Sequence, residues 1–161
     1  MNHARRTFRN YSLGMLFAGP WLMVIASWAC AQSTSSVQAG SIRVVVSGLR
    51  SDKGQILCAL YASAEGFPKK SEKALAHAKG KISQKQATCE FSTVAPGTYA
   101  VSVFHDENSN GRLDTNFIGM PKEGVGASNN ASGHMGPPKF EAAAFQFAGG
   151  VLELKITIRY L

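Results

Sequence analysis

The chain has 161 residues, 45% of them hydrophobic and 17% charged, with a formal net charge of +7. Apolar content at that level excludes an intrinsically disordered chain, and the length suits a single small domain behind a short leader. The basic residues are spread along the sequence without a cluster interleaved with aromatics, so nucleic acid is excluded as the expected partner.

Residues 1–31 read as a signal peptide. Arg5, Arg6 and Arg9 make a positive start, Leu13 to Ala29 is almost wholly apolar, and Ala29-Cys30-Ala31 supplies a small-x-small cleavage site. A retained anchor is the competing reading, but Gly14, Gly19, Pro20 and Ser27 interrupt a run already short for a bilayer of about 30 Å. Arg5-Arg6-Thr7-Phe8 resembles a twin-arginine signal, yet paired arginines are common in ordinary leaders, and the general secretory route is expected. Ser27 stands where a lipoprotein has Leu, so Cys30 is not expected to carry lipid. These features predict a periplasmic or secreted protein with no stable membrane anchor after cleavage. Loss of Arg5, Arg6 and Arg9 lowers the net charge from +7 to +4.

Residues 32–40 are a small polar leader, expected to be disordered, and 41–161 form the domain. Ile42 to Leu49 is a β-branched run, Ser51-Asp52-Lys53-Gly54 a turn, and Gln55 to Tyr61 the expected second strand of a hairpin. A lysine-rich Ala/Leu/Glu segment predicts a short helix over 70–78. Thr88 to Val94 alternates, Ala95-Pro96-Gly97 turns the chain, and Thr98 to Phe104 follows with Tyr99, Val101 and Val103 on one face. Residues 105–138 show little periodicity and much Gly, Asn and Pro; an irregular segment of that length is usually functional or disordered. Ala142 to Phe147 can form a strand, and Val151 to Leu161 alternates most clearly. Six or so short strands with one short helix and one long loop predict an all-β antiparallel sandwich.

Cleavage leaves Cys58 and Cys89, an even pair in an oxidising compartment. Both share the alternation phase of apolar neighbours (Ile56 and Leu60; Ala87 and Phe91), so both are expected to face one core. A disulfide is favoured over two buried thiols, and would contribute about 3–4 kcal/mol.

The segment with the most chemistry is Asp106-Glu107-Asn108-Ser109-Asn110-Gly111-Arg112-Leu113-Asp114. Oxygen-bearing side chains at alternate positions, then Gly, a backbone carbonyl and an acid, form the spacing of a calcium loop. The ligands would be the side chains of Asp106, Asn108, Asn110 and Asp114 with the carbonyl of Arg112, and Ca²⁺ the cofactor. Phe117 stands where an EF-hand has its bidentate Glu, and Glu123 is the carboxylate that folding back would bring. With two firm charges, affinity is expected at about 10⁻⁴–10⁻³ M. The competing reading is a metal-free turn, since Asn110-Gly111 is a strong signal for a type I′ hairpin turn. His105, Phe117, Met120, Pro121, Glu123 and Phe140 are expected to present a surface on this loop. The expected ligand is an unknown protein or an envelope or polysaccharide component.

The residues Gly97-Thr98-Tyr99-Ala100-Val101-Ser102-Val103, His105 to Asp114, Thr115 to Glu123, Gly126-Ala127-Ser128-Asn129-Asn130-Ala131 and Gly136-Pro137-Pro138-Lys139-Phe140-Glu141 resemble the domain of unknown function 2141 family of exported bacterial proteins. The resemblance implies an immunoglobulin-like or transthyretin-like sandwich and export, and it implies no activity. Ala127 departs from it, standing where the family usually carries an aromatic. No nucleophile elbow is present, and the lone histidines lack metal-site spacing. A non-enzymatic module is therefore expected. The alternatives are a purely structural envelope module, and a small hydrolase using His105 with loop carboxylates.

Overall fold

The computed structural model describes residues 38–134 and 136–161; the signal peptide expected over 1–31 and residues 32–37 of the expected leader lie outside the described residues. Eight strands run in chain order: β1 (Gly40–Ser47), β2 (Gln55–Tyr61), β3 (Ala76–Gly80), β4 (Ala87–Val94), β5 (Gly97–Asp106), β6 (Val125–Ala127), β7 (Phe145–Phe147) and β8 (Val151–Thr157). A four-residue helix, α1 (Phe140–Ala143), precedes β7. One sheet has the order β4-β1-β8 and the other β3-β2-β5-β6, with β7 pairing the start of β5. The fold is an all-β sandwich, as the alternating runs predict.

Several connections differ from the sequence reading. The expected hairpin does not form: β1 pairs with β4 and β8, whereas β2 pairs with β3 and β5, so residues 48–54 cross between sheets. A turn-forming sequence does not say whether the next strand returns beside its predecessor or passes to the opposite sheet. The β1–β8 pair is parallel, so the sandwich is not wholly antiparallel. The segment expected to be helical over 70–78 holds only a 3-10 turn at Ser71–Lys73 before entering β3. Its good helix formers are outweighed by the ladder that Ala76 to Gly80 makes with β2. Conversely, Phe140–Ala143 forms α1, which takes up the start of the strand expected over 142–147, and the strand is confined to Phe145–Phe147.

Alternation builds the core. Ile42, Val44 and Val46 of β1, Phe91 of β4 and Ile156 of β8 meet Ile56, Leu60, Tyr99, Val101 and Val103 of the facing sheet, all buried. Cys58 and Cys89 lie in this core on opposite sheets and form the expected disulfide, with a Cα–Cα distance of 6.6 Å. The other face of β5 is covered as well. Ala100 packs with Ala127 and Ala143 in a second, smaller cluster against which Phe67 and Phe140 rest. β5, covered on both faces, carries the chain into the 106–124 loop.

Candidate metal loop and its apolar tip

Asp106, the last residue of β5, is fully buried yet well supplied with donors. Its Oδ1 accepts the Asn110 N–H at 3.0 Å, and its Oδ2 accepts the Gly111 N–H and the Gln55 amide, each at 2.8 Å. The Asn108 Oδ1 accepts the same Asn110 N–H, and the Asn110 Oδ1 accepts the Arg112 N–H. On the far side, the Asn108 and Asn110 amides donate to the Asp114 carboxylate at 2.7 and 3.1 Å. The side chains of Asn108, Asn110 and Asp114 thus close into one ring, which Asp106 joins through the Asn110 N–H. Alternate residues point inward because each short polar side chain bonds backbone two to five residues ahead, which curls the chain.

The type I′ turn does not form. Positive φ falls on Ser109 and Gly111, at 58° and 77°, while Asn110 is outside that region, so the two central positions of such a turn are not both left-handed. The root of the loop is tightly seated: a Cβ on Gly54 would lie 1.9 Å from the Asp106 carbonyl oxygen.

Glu123 does fold back, as a clamp. Its Oε1 accepts the Glu107 N–H and its Oε2 the Asp114 N–H, both at 2.9 Å, so one buried carboxylate ties the two ends of the loop together. Glu107 turns outward to Arg50, which donates through both Nε and Nη2. That bidentate pairing holds the Glu107 carboxyl below the ordinary value of 4.5. The Arg50 guanidinium also lies 4.4 Å from the Tyr160 ring centroid.

His105 is not a surface residue. It is fully buried, its Nε2 is 2.7 Å from the Lys53 carbonyl oxygen, and its Nδ1 is 2.7 Å from the Tyr160 hydroxyl. The carbonyl can only accept, so Nε2 carries the proton and Nδ1 accepts from Tyr160. Burial raises the Tyr160 phenol's pKa. Both imidazole nitrogens are thereby committed, and neither the hollow lined by Gln38, Gly40 and Val151 nor the one lined by His134, Pro137 and Ala142 includes His105. Glu123 and Phe140 also depart from the expected surface: Glu123 is buried, and Phe140 packs edge-on against Phe67.

Phe117, Met120 and Pro121 lie where the sequence put them. Residues 115–121 form a small projecting hairpin, with Thr115 bridged to Pro121 and the Asn116 N–H donating to the Met120 carbonyl. Its tip exposes Phe117 at 98%, Ile118 at 68% and Met120 at 43%. Among the described residues, no three His, Cys, Asp or Glu side chains gather as a metal site; a cation here would depend on amide and carbonyl oxygens.

The family model described as an uncharacterized protein conserved in bacteria, DUF2141, matches residues 44–155. The chain belongs to the DUF2141 family. No curated protein and no solved structure matches it. In this DUF2141 chain the Ser128-Asn129-Asn130 segment carries a role that sequence reasoning missed. The Ser128 hydroxyl accepts the Val101 N–H and donates to the Ala143 carbonyl, the Asn129 amide donates to the Ala142 and Ala144 carbonyls, and the Asn130 Oδ1 accepts the Thr157 N–H. Asn129 and Asn130 have φ of 58° and 49°. A paired Asn tolerates that backbone region and supplies side-chain bonds, which was the available signal.

Proposed function

We propose that the protein is an exported, non-enzymatic binding module whose 106–123 loop takes up Ca²⁺ weakly and presents the 115–121 hairpin to a ligand. The observation that carries this reading is the hydrogen-bonded cluster that Asp106, Asn108, Asn110 and Asp114 form at the base of that hairpin. Hard oxygen donors of this kind suit Ca²⁺. In the ring as it stands the two amide nitrogens face Asp114, so a cation entering would turn those side chains and replace two hydrogen bonds with metal–oxygen contacts. Glu123 positions the ring through the backbone. Export is supported by the leader and by a disulfide suited to an oxidising compartment.

Calorimetric titration of chelator-treated protein with Ca²⁺ tests the metal. The expected result is binding at about 10⁻⁴–10⁻³ M that Asp114→Ala abolishes. A silent titration at 10 mM Ca²⁺ (about ten times the upper limit of that range) with no rise in melting temperature sinks it. That outcome would favour a second reading, which the amide bonds to Asp114 support: a metal-free loop closed by its own hydrogen bonds.

A further inference from the structure

The 115–121 hairpin has the chemistry of a lipid-contacting tip. Phe117, Ile118 and Met120 lie on one narrow turn, with Phe117 almost fully exposed and the other two largely or partly so. The tip is held in advance: the Asn116 Oδ1 accepts the Ile118 and Met120 N–H groups, and the Gly119 N–H donates to the Asn116 carbonyl. The backbone of the tip is therefore fixed before contact. The charges around it are sorted. Asp106 and Glu123 are buried, Glu107 is paired with Arg50, and Asp114 receives the two Asn amides. Arg112 and Lys122, on the two arms below the tip, are exposed and have no ion-pair partner among the described residues. Of these four carboxylates two are buried and Glu107 is paired with Arg50, while Arg112 and Lys122 stand exposed beside an apolar point.

We infer that this tip inserts into the interfacial region of an anionic phospholipid bilayer, with Phe117, Ile118 and Met120 entering the acyl boundary and Arg112 and Lys122 meeting the headgroups. This rests on the reading of the hairpin as a presented surface. A bilayer is favoured over a protein because a tip of a few residues falls far short of the roughly 800 Å² per partner of a stable protein interface. A bilayer needs no complementary shape, only apolar side chains at its boundary and cations at its surface. The contact is reversible, since one small tip with two cations gives marginal binding.

Vesicle sedimentation tests it, using the protein in the form its cell leaves it and vesicles of phosphatidylcholine with or without phosphatidylglycerol. At low salt, binding to the anionic vesicles should be roughly tenfold or more tighter than to the neutral ones. The Phe117→Ser/Ile118→Ser pair should remove most of that binding without changing the melting temperature, and Lys79→Gln/Lys81→Gln should retain it. Equal binding to neutral vesicles, or a tip variant that binds like the parent, overturns the inference. So does capture of an envelope protein through the tip with no vesicle binding. Ca²⁺ calorimetry on the same tip variant separates the two claims. Heat retained with no vesicle binding by the parent removes the lipid contact alone, and vesicle binding without heat removes the calcium site alone.

Discussion

Arg50 and Glu107 show how a single pair links the crossover between sheets to the loop. Arg50 comes from the 48–54 connection and Glu107 from the residue after β5, so their bidentate contact fastens two segments distant in sequence. The Glu107 carboxyl has its pKa lowered chiefly by the Arg50 hydrogen bond. A depressed carboxylate contributes stability above its unfolded value and loses it as pH falls through the folded one. The contribution is therefore complete above the ordinary value of 4.5 and fades below it. Arg50 is half exposed, so solvent screens the pair and keeps its contribution small. Thermal melts of the parent and Glu107→Gln should differ by a constant few degrees from neutral pH to about 5 and converge below 4.5. A gap that does not narrow in acid would show that Glu107 acts through packing. At this scale the sequence was partly legible. Tyr99, Val101 and Val103 already placed His105 on the inward phase of β5, but the acidic motif beside it drew His105 into the loop reading. Glu123 was legible only as a carboxylate that could return; that it would clamp backbone N–H groups depends on a path through the 115–121 hairpin that spacing does not encode.

Among the elements, the Ser128–Asn130 turn has the widest reach, because it bonds β5, the end of α1 and β8 at once. A four-residue helix has no stability of its own. Here α1 is held by packing of Ala143 against Ala100 and Ala127 and by the bonds from Ser128 and Asn129. Ser128→Ala would strand the buried Val101 N–H and Ala143 carbonyl, at a cost of about 1–3 kcal/mol. The expected outcome is a lower urea midpoint together with faster hydrogen exchange at Val101. Unchanged exchange there would mean that another group satisfies the amide. The strands were the legible elements, since period-two burial leaves its mark in β1, β4 and β5. Neither the Ser71–Lys73 turn nor α1 was legible. Around Ser71–Lys73 good helix formers gave way to the pairing of β3 with β2, whereas at α1 the Ala-rich start of the 142–147 segment was read as strand although the strand begins at Phe145.

For the molecule as a whole, the consequential link is the disulfide, because Cys58 belongs to the β3-β2-β5-β6 sheet and Cys89 to the β4-β1-β8 sheet. The sheets are otherwise joined by apolar packing, by connections such as residues 48–54, and by the hydrogen bonds of Asn130 to Thr157 and of Val125 to Arg159, so the disulfide is the covalent link acting directly between the two layers. The cysteines' common phase made the pairing legible from sequence; their placement on opposite sheets was not, because it follows from the missing β1–β2 hairpin. The bridge spans a sequence separation of 31 residues. Constraining an unfolded loop of that size stabilises the fold by about 3–4 kcal/mol. The reduced protein retains both sulfur atoms and hence nearly all of the core volume, so comparison with the oxidised form isolates the constraint from cavity effects. Urea unfolding should shift to a lower midpoint on reduction. Its slope should steepen, since an unfolded chain freed of the cross-link exposes more surface. Far-ultraviolet circular dichroism before the transition should stay the same, because the apolar contacts between sheets persist. Cys58→Ala/Cys89→Ala should fall further than the reduced protein, by the added cost of two small cavities. An oxidised and a reduced midpoint that coincide would show that the denatured chain already holds the two strands together, and the disulfide would then add no stability to the sandwich.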